Sequence, residues 1–177
     1  MKEELPIRKK NRMEKYDYAR AGKYFVTICV SNRVQLLWED VDEYGEYWEL
    51  SKYGHIVECG IQRVGQIYKT VSIDKFCVMP DHIHAIISIE KNMCRGEQCS
   101  PDGRDLPENE SVNLSRVIKQ MKGIITKEIG FSIWQKSYYD HVIRNEIEYA
   151  RIWQYIEENP IKRLMGKSGR NDLTFLD

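Results

Sequence analysis

The sequence predicts an α+β fold, a sheet with helices packed on it. Three observations carry that reading. β-branched and aromatic runs at residues 24–30, 72–79 and 82–89 read as strands. Apolar residues recur at helical spacing over 52–68, 113–127 and 146–158. The order strand, helix, strands, helix, helix is that of a layered α+β domain and has no internal repeat. At 177 residues the chain is long enough for a real core and too short for an eight-stranded barrel enzyme, so one domain spanning 1–177 is expected.

Taken in order, Tyr24-Phe25-Val26-Thr27-Ile28-Cys29-Val30 follows Gly22 and predicts a strand. The acidic stretch Glu39 to Glu49 contains Gly45 and predicts an exposed turn or hairpin. From Lys52 to Tyr68, Ile56, Ile61, Val64 and Ile67 fall near helical spacing despite three interior glycines. Ser72–Met79 and His82–Ile89 are strand-like and are parted by Pro80-Asp81, a turn signal. Residues 91–110 are polar, with two glycines and two prolines, and predict a flexible loop. A helix resumes at Asn113 or Ser115 with the stripe Leu114, Val117, Ile118, Met121, Ile124 and Ile125. The aromatic segment Phe131–Tyr139 follows, then Asp140 to Arg144, then a helix from Glu146 to Glu158 that buries Tyr149, Ile152, Trp153 and Ile156. Pro160 is expected to end it, because the residue before a proline is pushed out of helical angles.

Composition narrows the class. The apolar, aromatic and charged fractions (42%, 11% and 31%) are those of an ordinary soluble protein. No apolar run approaches the roughly 20 residues of a membrane span, and Met1-Lys2-Glu3-Glu4-Leu5-Pro6 lacks a signal-peptide core, so a cytoplasmic protein with no membrane partner is expected. Five cysteines, an odd number, suggest free thiols: Cys29 and Cys77 lie in strands, and Cys94 and Cys99 have no second pair to complete a zinc site. Net charge is zero, with basic clusters at Arg8–Arg12 and from Lys162-Arg163 to Lys167 and Arg170, a pattern that permits nucleic-acid binding without requiring it.

Chemistry concentrates at His82-Ile83-His84. Strand side chains alternate, so the two imidazoles share one face and can converge on a divalent ion, while Ile83, Ala85, Ile87 and Ile89 form an apolar opposite face. The plainer alternative is two histidines on a half-exposed strand. In the last helix, Tyr155 and Asn159 lie one turn apart on nearly the same face, offering a phenol nucleophile and an amide oxygen suited to a hard cation. The competing explanation is that Tyr155 packs at the edge of the stripe and Asn159 terminates the helix.

Three ordered motifs weigh on those alternatives. Val78-Met79-Pro80-Asp81-His82-Ile83-His84, Tyr138 through Glu146, and Tyr155-Ile156-Glu157-Glu158-Asn159-Pro160 together resemble the signatures of the REP-associated tyrosine transposases, single-tyrosine enzymes among the HUH nucleases. Gly22 to Cys29 resembles the family's first strand, and the likeness spans about positions 16 to 163. The resemblance implies a ferredoxin-like α/β sandwich with an antiparallel sheet. It implies His82, His84 and Asn159 as ligands of Mg2+ or Mn2+, and Tyr155 as the nucleophile of a transposase that cleaves and rejoins single-stranded DNA through a 5′-phosphotyrosine. Asp81 departs from the Asn that many relatives carry, and could hold an imidazole by hydrogen bonding. In a regular strand, however, its side chain would point to the opposite face from the histidines.

Tyr138 and Tyr139 are rival nucleophiles, disfavoured because Asp140 would repel a phosphate; His141 is read as a structural residue. Trp134, Tyr138 and Tyr139 are candidate stacking platforms for bases, and Lys119, Lys122, Arg144 and Lys162 candidate phosphate contacts. The expected partners are hairpin-forming single-stranded DNA and, because relatives occur as dimers and monomers, a second copy of the chain. The alternative function is a domesticated or catalytically inactive hairpin-binding protein of the same fold. A small-molecule metallohydrolase is a third option with little support.

Overall fold

The computed structural model describes residues 21–40, 48–90 and 112–165. The loop 91–110, Cys94, Cys99, the basic clusters 8–12 and 167–170, and the acidic residues 42–47 lie outside the described residues.

Strand β1 (Gly22–Cys29) forms where β-branched and aromatic residues follow Gly22, and its last six residues are all buried. A short 3-10 turn, Ser31–Arg33, leads to β2 (Trp38–Asp40) and β3 (Trp48–Leu50), an antiparallel pair in which Trp38 faces Leu50. This is the hairpin pairing expected on either side of Gly45. Helix α1 (Lys52–Ile67) starts at Ser51, whose hydroxyl accepts the backbone N–H of Gly54 at 3.2 Å. Two of its glycines are explained by close approach. A Cβ on Gly54 would overlap the carbonyl oxygen of Leu37, and one on Gly60 would overlap the side chain of Ile125.

β4 (Val71–Met79) and β5 (His82–Ile89) follow, joined by the two-residue turn Pro80-Asp81. Helix α2 (Leu114–Ile129) is capped by Asn113, whose side chain accepts from Arg116 N–H, and stops at Gly130 in the left-handed region (φ 92°) that glycine enters without strain. Strand β6 (Tyr139–Ile143) and helix α3 (Glu146–Leu164) complete the described chain.

The principal sheet has the order β4-β5-β1-β6, with every neighbouring pair antiparallel. With α1 between β1 and β4 and α2 between β5 and β6, this is the βαββαβ plan of a ferredoxin-like sandwich. One face of the sheet (Tyr24, Val26, Ile28, Val78, Ile83, Ala85, Ile87) packs on Val57, Ile61 and Val64 of α1 and Val117, Ile118, Met121 and Ile125 of α2. On the other face Phe25, Ile86 and Ile143 pack against Ile152 and Ile156 of α3. The sheet is therefore covered on both sides, and α3 is the cover over the histidine face.

Two local expectations are corrected. The segment after the aromatics contains a strand, β6, which the sequence pattern did not suggest. Its faces are mixed because it is an edge strand: Val142 serves the first core and Ile143 the second, while Tyr139 is half exposed. Pro160 does not end α3, which continues to Leu164. A proline ring already has helical φ; what it removes is one N–H, leaving the carbonyl of Ile156 without its usual donor. The final turn closes beyond it, with Met165 N–H donating to Ile161 O at 3.0 Å and Lys162 and Arg163 beside the carbonyl end of the helix dipole.

Candidate metal and nucleophile site

Strand β5 places His82 and His84 on the face covered by α3, and both rings are buried (9% and 1% exposed). Their Nε2 atoms stand 3.1 Å apart, with ring centroids at 4.6 Å. The far nitrogen of each ring is held by a neighbour. Asp81 Oδ1 accepts from His82 Nδ1–H at 2.5 Å, and Thr27 Oγ1, directly across the β1–β5 ladder, lies 2.8 Å from His84 Nδ1. Asp81 does not point away from the histidines as a regular strand would require. It sits in the β4–β5 turn, where the backbone is free to fold its carboxylate onto His82.

Arg33 completes this edge of the site. Its Nη1 lies 3.4 Å from Asp81 Oδ2 and 3.3 Å from Cys29 Sγ. Burial opposes the charge of Asp81, but its hydrogen bond to His82 and the nearby charges of His82 and Arg33 prevail and hold its carboxyl below the usual range. Burial, reinforced by the charges of His82 and Arg33, pushes His84 well below the ordinary value of 6.5 and keeps its ring neutral. Burial also drives the thiol of Cys77, paired with His84 across the β4–β5 ladder, up to about 12.

Helix α3 sets Tyr155 against the same rings. Its ring centroid is 5.4 Å from that of His84, and it meets Phe25 edge-on at 6.0 Å. Phe25 in turn stacks on His84 at 5.3 Å. One turn later Asn159 is buried (8% exposed), and its Nδ2 has no hydrogen-bond partner.

These donors fit a divalent cation. Two nitrogens bound side by side on one octahedral ion at roughly 2.1–2.2 Å are separated by roughly 3.0–3.1 Å, the observed spacing. Among the described residues no cluster of three His, Cys, Asp or Glu donors forms, so a further ligand drawn from them is of another kind. The buried amide of Asn159, one turn after Tyr155 on α3, is a group of that kind, and its orphaned Nδ2 is an assignment that a half-turn of the amide exchanges for the carbonyl oxygen. Two neutral nitrogens with an amide oxygen suit Mg2+ or Mn2+.

The other sequence-derived candidates divide. Trp134 and Tyr138 are each only 8% exposed and belong to the first core, with Tyr138 Oη 3.0 Å from Ser115 Oγ, so neither offers a ring face to a base. Lys122 Nζ donates to the carbonyls of Gln135 (2.8 Å) and Ser137 (3.1 Å), and burial lowers its pKa; it pins the 135–137 segment and is not a free phosphate contact. Lys119, Arg144 and Lys162 are exposed, Lys162 pairing with Glu158 at 2.7 Å. Tyr139 is half exposed and shares a ladder row, and hence a sheet face, with Thr27 and His84. Asp140 faces the opposite side. His141 donates from Nε2 to Glu148 Oε1 at 2.6 Å, which ties β6 to the start of α3.

Thr27 and Arg33 are the site residues that sequence reasoning missed. Strand alternation could have placed Thr27 on the side of Phe25. No signal in the sequence brings Arg33 to Asp81.

No family model matches the chain. An uncharacterized protein of Haemophilus influenzae is 31% identical over 164 residues, covering 87% of this chain and 88% of the relative. A REP-associated tyrosine transposase of Escherichia coli is 25% identical over 146 residues, 82% of this chain and 70% of the relative. Among solved structures, that of a REP-associated tyrosine transposase bound to a REP hairpin superposes with a TM-score of 0.57 at 25% identity, over 85% of this chain and 74% of that one.

Proposed function

The chain belongs to the REP-associated tyrosine transposases, and on that premise we propose that it is a metal-dependent DNA strand-transferring nuclease that acts on hairpin-forming single-stranded DNA. The observation that carries the chemistry is the Tyr155 ring, 5.4 Å from a His84 whose Nε2 lies 3.1 Å from that of His82. Held by both Nε2 atoms and the amide oxygen of Asn159, Mg2+ or Mn2+ would polarise the scissile phosphate and offset its developing charge.

The chain's own groups do the rest. Tyr155 Oη attacks phosphorus; the Oη–P bond forms and the bond from phosphorus to the 3′-oxygen breaks, leaving a free 3′-hydroxyl and a 5′-phosphotyrosine. Attack by a second 3′-hydroxyl reverses the step and regenerates Tyr155, so rejoining needs no nucleotide cofactor. Phe25, stacked on His84 and edge-on to Tyr155, fixes the two rings relative to one another. Tyr139, half exposed on the same sheet face, is the stacking platform that remains for an unpaired base, and Lys119, Arg144 and Lys162 are the exposed cations left to meet phosphates. The hairpin bound by the solved relative supports DNA of that form as substrate.

The test is a labelled single-stranded oligonucleotide carrying a REP hairpin, incubated with the protein and Mn2+ and run on a denaturing gel. The expected result is a protein–DNA adduct with wild type and none with Tyr155→Phe. Binding without adduct in both proteins would establish the catalytically inactive hairpin-binding reading instead.

A further inference from the structure

Arg33 occupies a position that its backbone disfavours. It and Asn32 have φ of 56° and 55°, in the left-handed region. Asn tolerates those angles by bonding locally, whereas Arg rarely adopts them. The turn is closed by Arg33 N–H donating to Val30 O at 3.1 Å, and Val30 itself is tied to the next loop by donating to Asp81 O at 2.8 Å. The strained residue is thus tied through Val30 to the turn that carries Asp81. Its guanidinium then reaches Asp81 Oδ2 (3.4 Å) while the other carboxylate oxygen of Asp81 holds His82 Nδ1 (2.5 Å).

We propose that Arg33 is a positioning residue for the metal site: through Asp81 it fixes the ring of His82 with the proton on Nδ1, so that the Nε2 lone pair faces His84. This rests on the function proposed above for the two histidines. The chemistry requires both halves of the chain of contacts. A carboxylate has two oxygens and several rotamers, and a lone Asp81 in a solvent-accessible turn can rotate away from His82 or turn both oxygens to water. The guanidinium engages the second oxygen and leaves the first aimed at the ring. Cys29 Sγ, 3.3 Å from the same Nη1, keeps the guanidinium seated over the end of β1. Partners of this kind, behind a metal-ligating imidazole, typically change metal affinity by about 10–100-fold when removed.

The experiment compares wild type with Arg33→Met, Asp81→Asn and the double variant. Two readouts are used: the 15N shifts of the His82 ring nitrogens in metal-free protein, and Mn2+ affinity by calorimetry. Arg33→Met is expected to move His82 from one tautomer to a mixture and to weaken Mn2+ binding on the order of tenfold. Adding it to Asp81→Asn should cost nothing further, because the neutral amide has already broken the ion pair. Arg33→Gly, which removes the guanidinium and relieves the backbone at that positive φ, should show the same tautomer change. An unaltered His82 pattern in Arg33→Met and Arg33→Gly overturns the proposal. If wild type binds no Mn2+, the metal-site reading fails on its own, and the ring shifts still decide the role of Arg33.

Discussion

The hydroxyl of Thr27 can serve His84 in either tautomer. With one proton shared between the two Nε2 atoms, Thr27 donates to His84 Nδ1; with a cation between them, Nδ1 carries the proton and Thr27 accepts it. A residue able only to donate or only to accept could not do both. Thr27→Val keeps the shape and strands a buried ring nitrogen, so a loss of about 1–3 kcal/mol is expected by urea denaturation, with Thr27→Ser close to wild type. Equal stability of Val and Thr at this position would contradict the assignment. The depressed pKa of His84 makes a second prediction. The unfolded chain takes up a proton on this ring near pH 6.5, and the folded chain does so only at lower pH. Between those limits the unfolded state binds more protons, so stability falls as pH drops through about 6.5, with a slope approaching about 1.4 kcal/mol per unit. Denaturation midpoints followed from about pH 7.5 to 5 should fall more steeply for wild type than for His84→Gln, and parallel curves would remove His84 from the account.

Among the elements, α3 matters most because it carries Tyr155, and its orientation is set at several points. Asn145 Oδ1 caps the helix by accepting Glu148 N–H at 2.8 Å, while Glu148 Oε2 reaches back past the cap to accept Arg144 N–H at 2.7 Å. Lys23 pairs with Glu146 (3.2 Å), Lys75 with Glu157 (3.1 Å), and Tyr149 Oη donates to Asp74 Oδ2 (3.2 Å). Asn145→Ala should lower stability by about 1 kcal/mol and reduce adduct yield in parallel, since the helix start is also where His141 is fastened. A drop in melting temperature with full adduct yield would show that the cap does not aim the tyrosine. Much of α3 was legible in advance: the stripe of Ile152 and Ile156 and the pairing of Tyr155 with Asn159 follow from periodicity. Its continuation past Pro160 was not, because the rule for the residue before proline is a statistical bias that tertiary packing can override, here with Asn159 itself buried.

At the scale of the whole molecule, the alternation in 82–89 gave the two faces of β5 directly, and the ordered motifs gave the sandwich. What periodicity could not supply was contact between residues distant in sequence. Arg33 meets Asp81 and Thr27 meets His84 only because β1 and β5 are neighbours, and Trp134 and Tyr138 are core only because the 131–138 segment crosses the end of β1, where Val30 bridges Trp134. Aromatic residues in a helix-poor stretch read equally well as an exposed stacking surface, and burial decided otherwise. The same topology bears on assembly. The imidazoles stand on β5 and the phenol on α3 of one chain, with α3 laid over the sheet through Phe25, Ile86 and Ile143. A single chain thus brings the phenol against the imidazole pair, and a second copy need not lend a tyrosine. Mixing Tyr155→Phe with His84→Ala should therefore give no adduct, and titrating inactive protein into wild type should leave adduct per wild-type chain unchanged. Recovery of activity in the mixture would mean that α3 leaves its own sheet and serves a partner's histidines, in which case the contact between Tyr155 and His84 within one chain is not the reactive one.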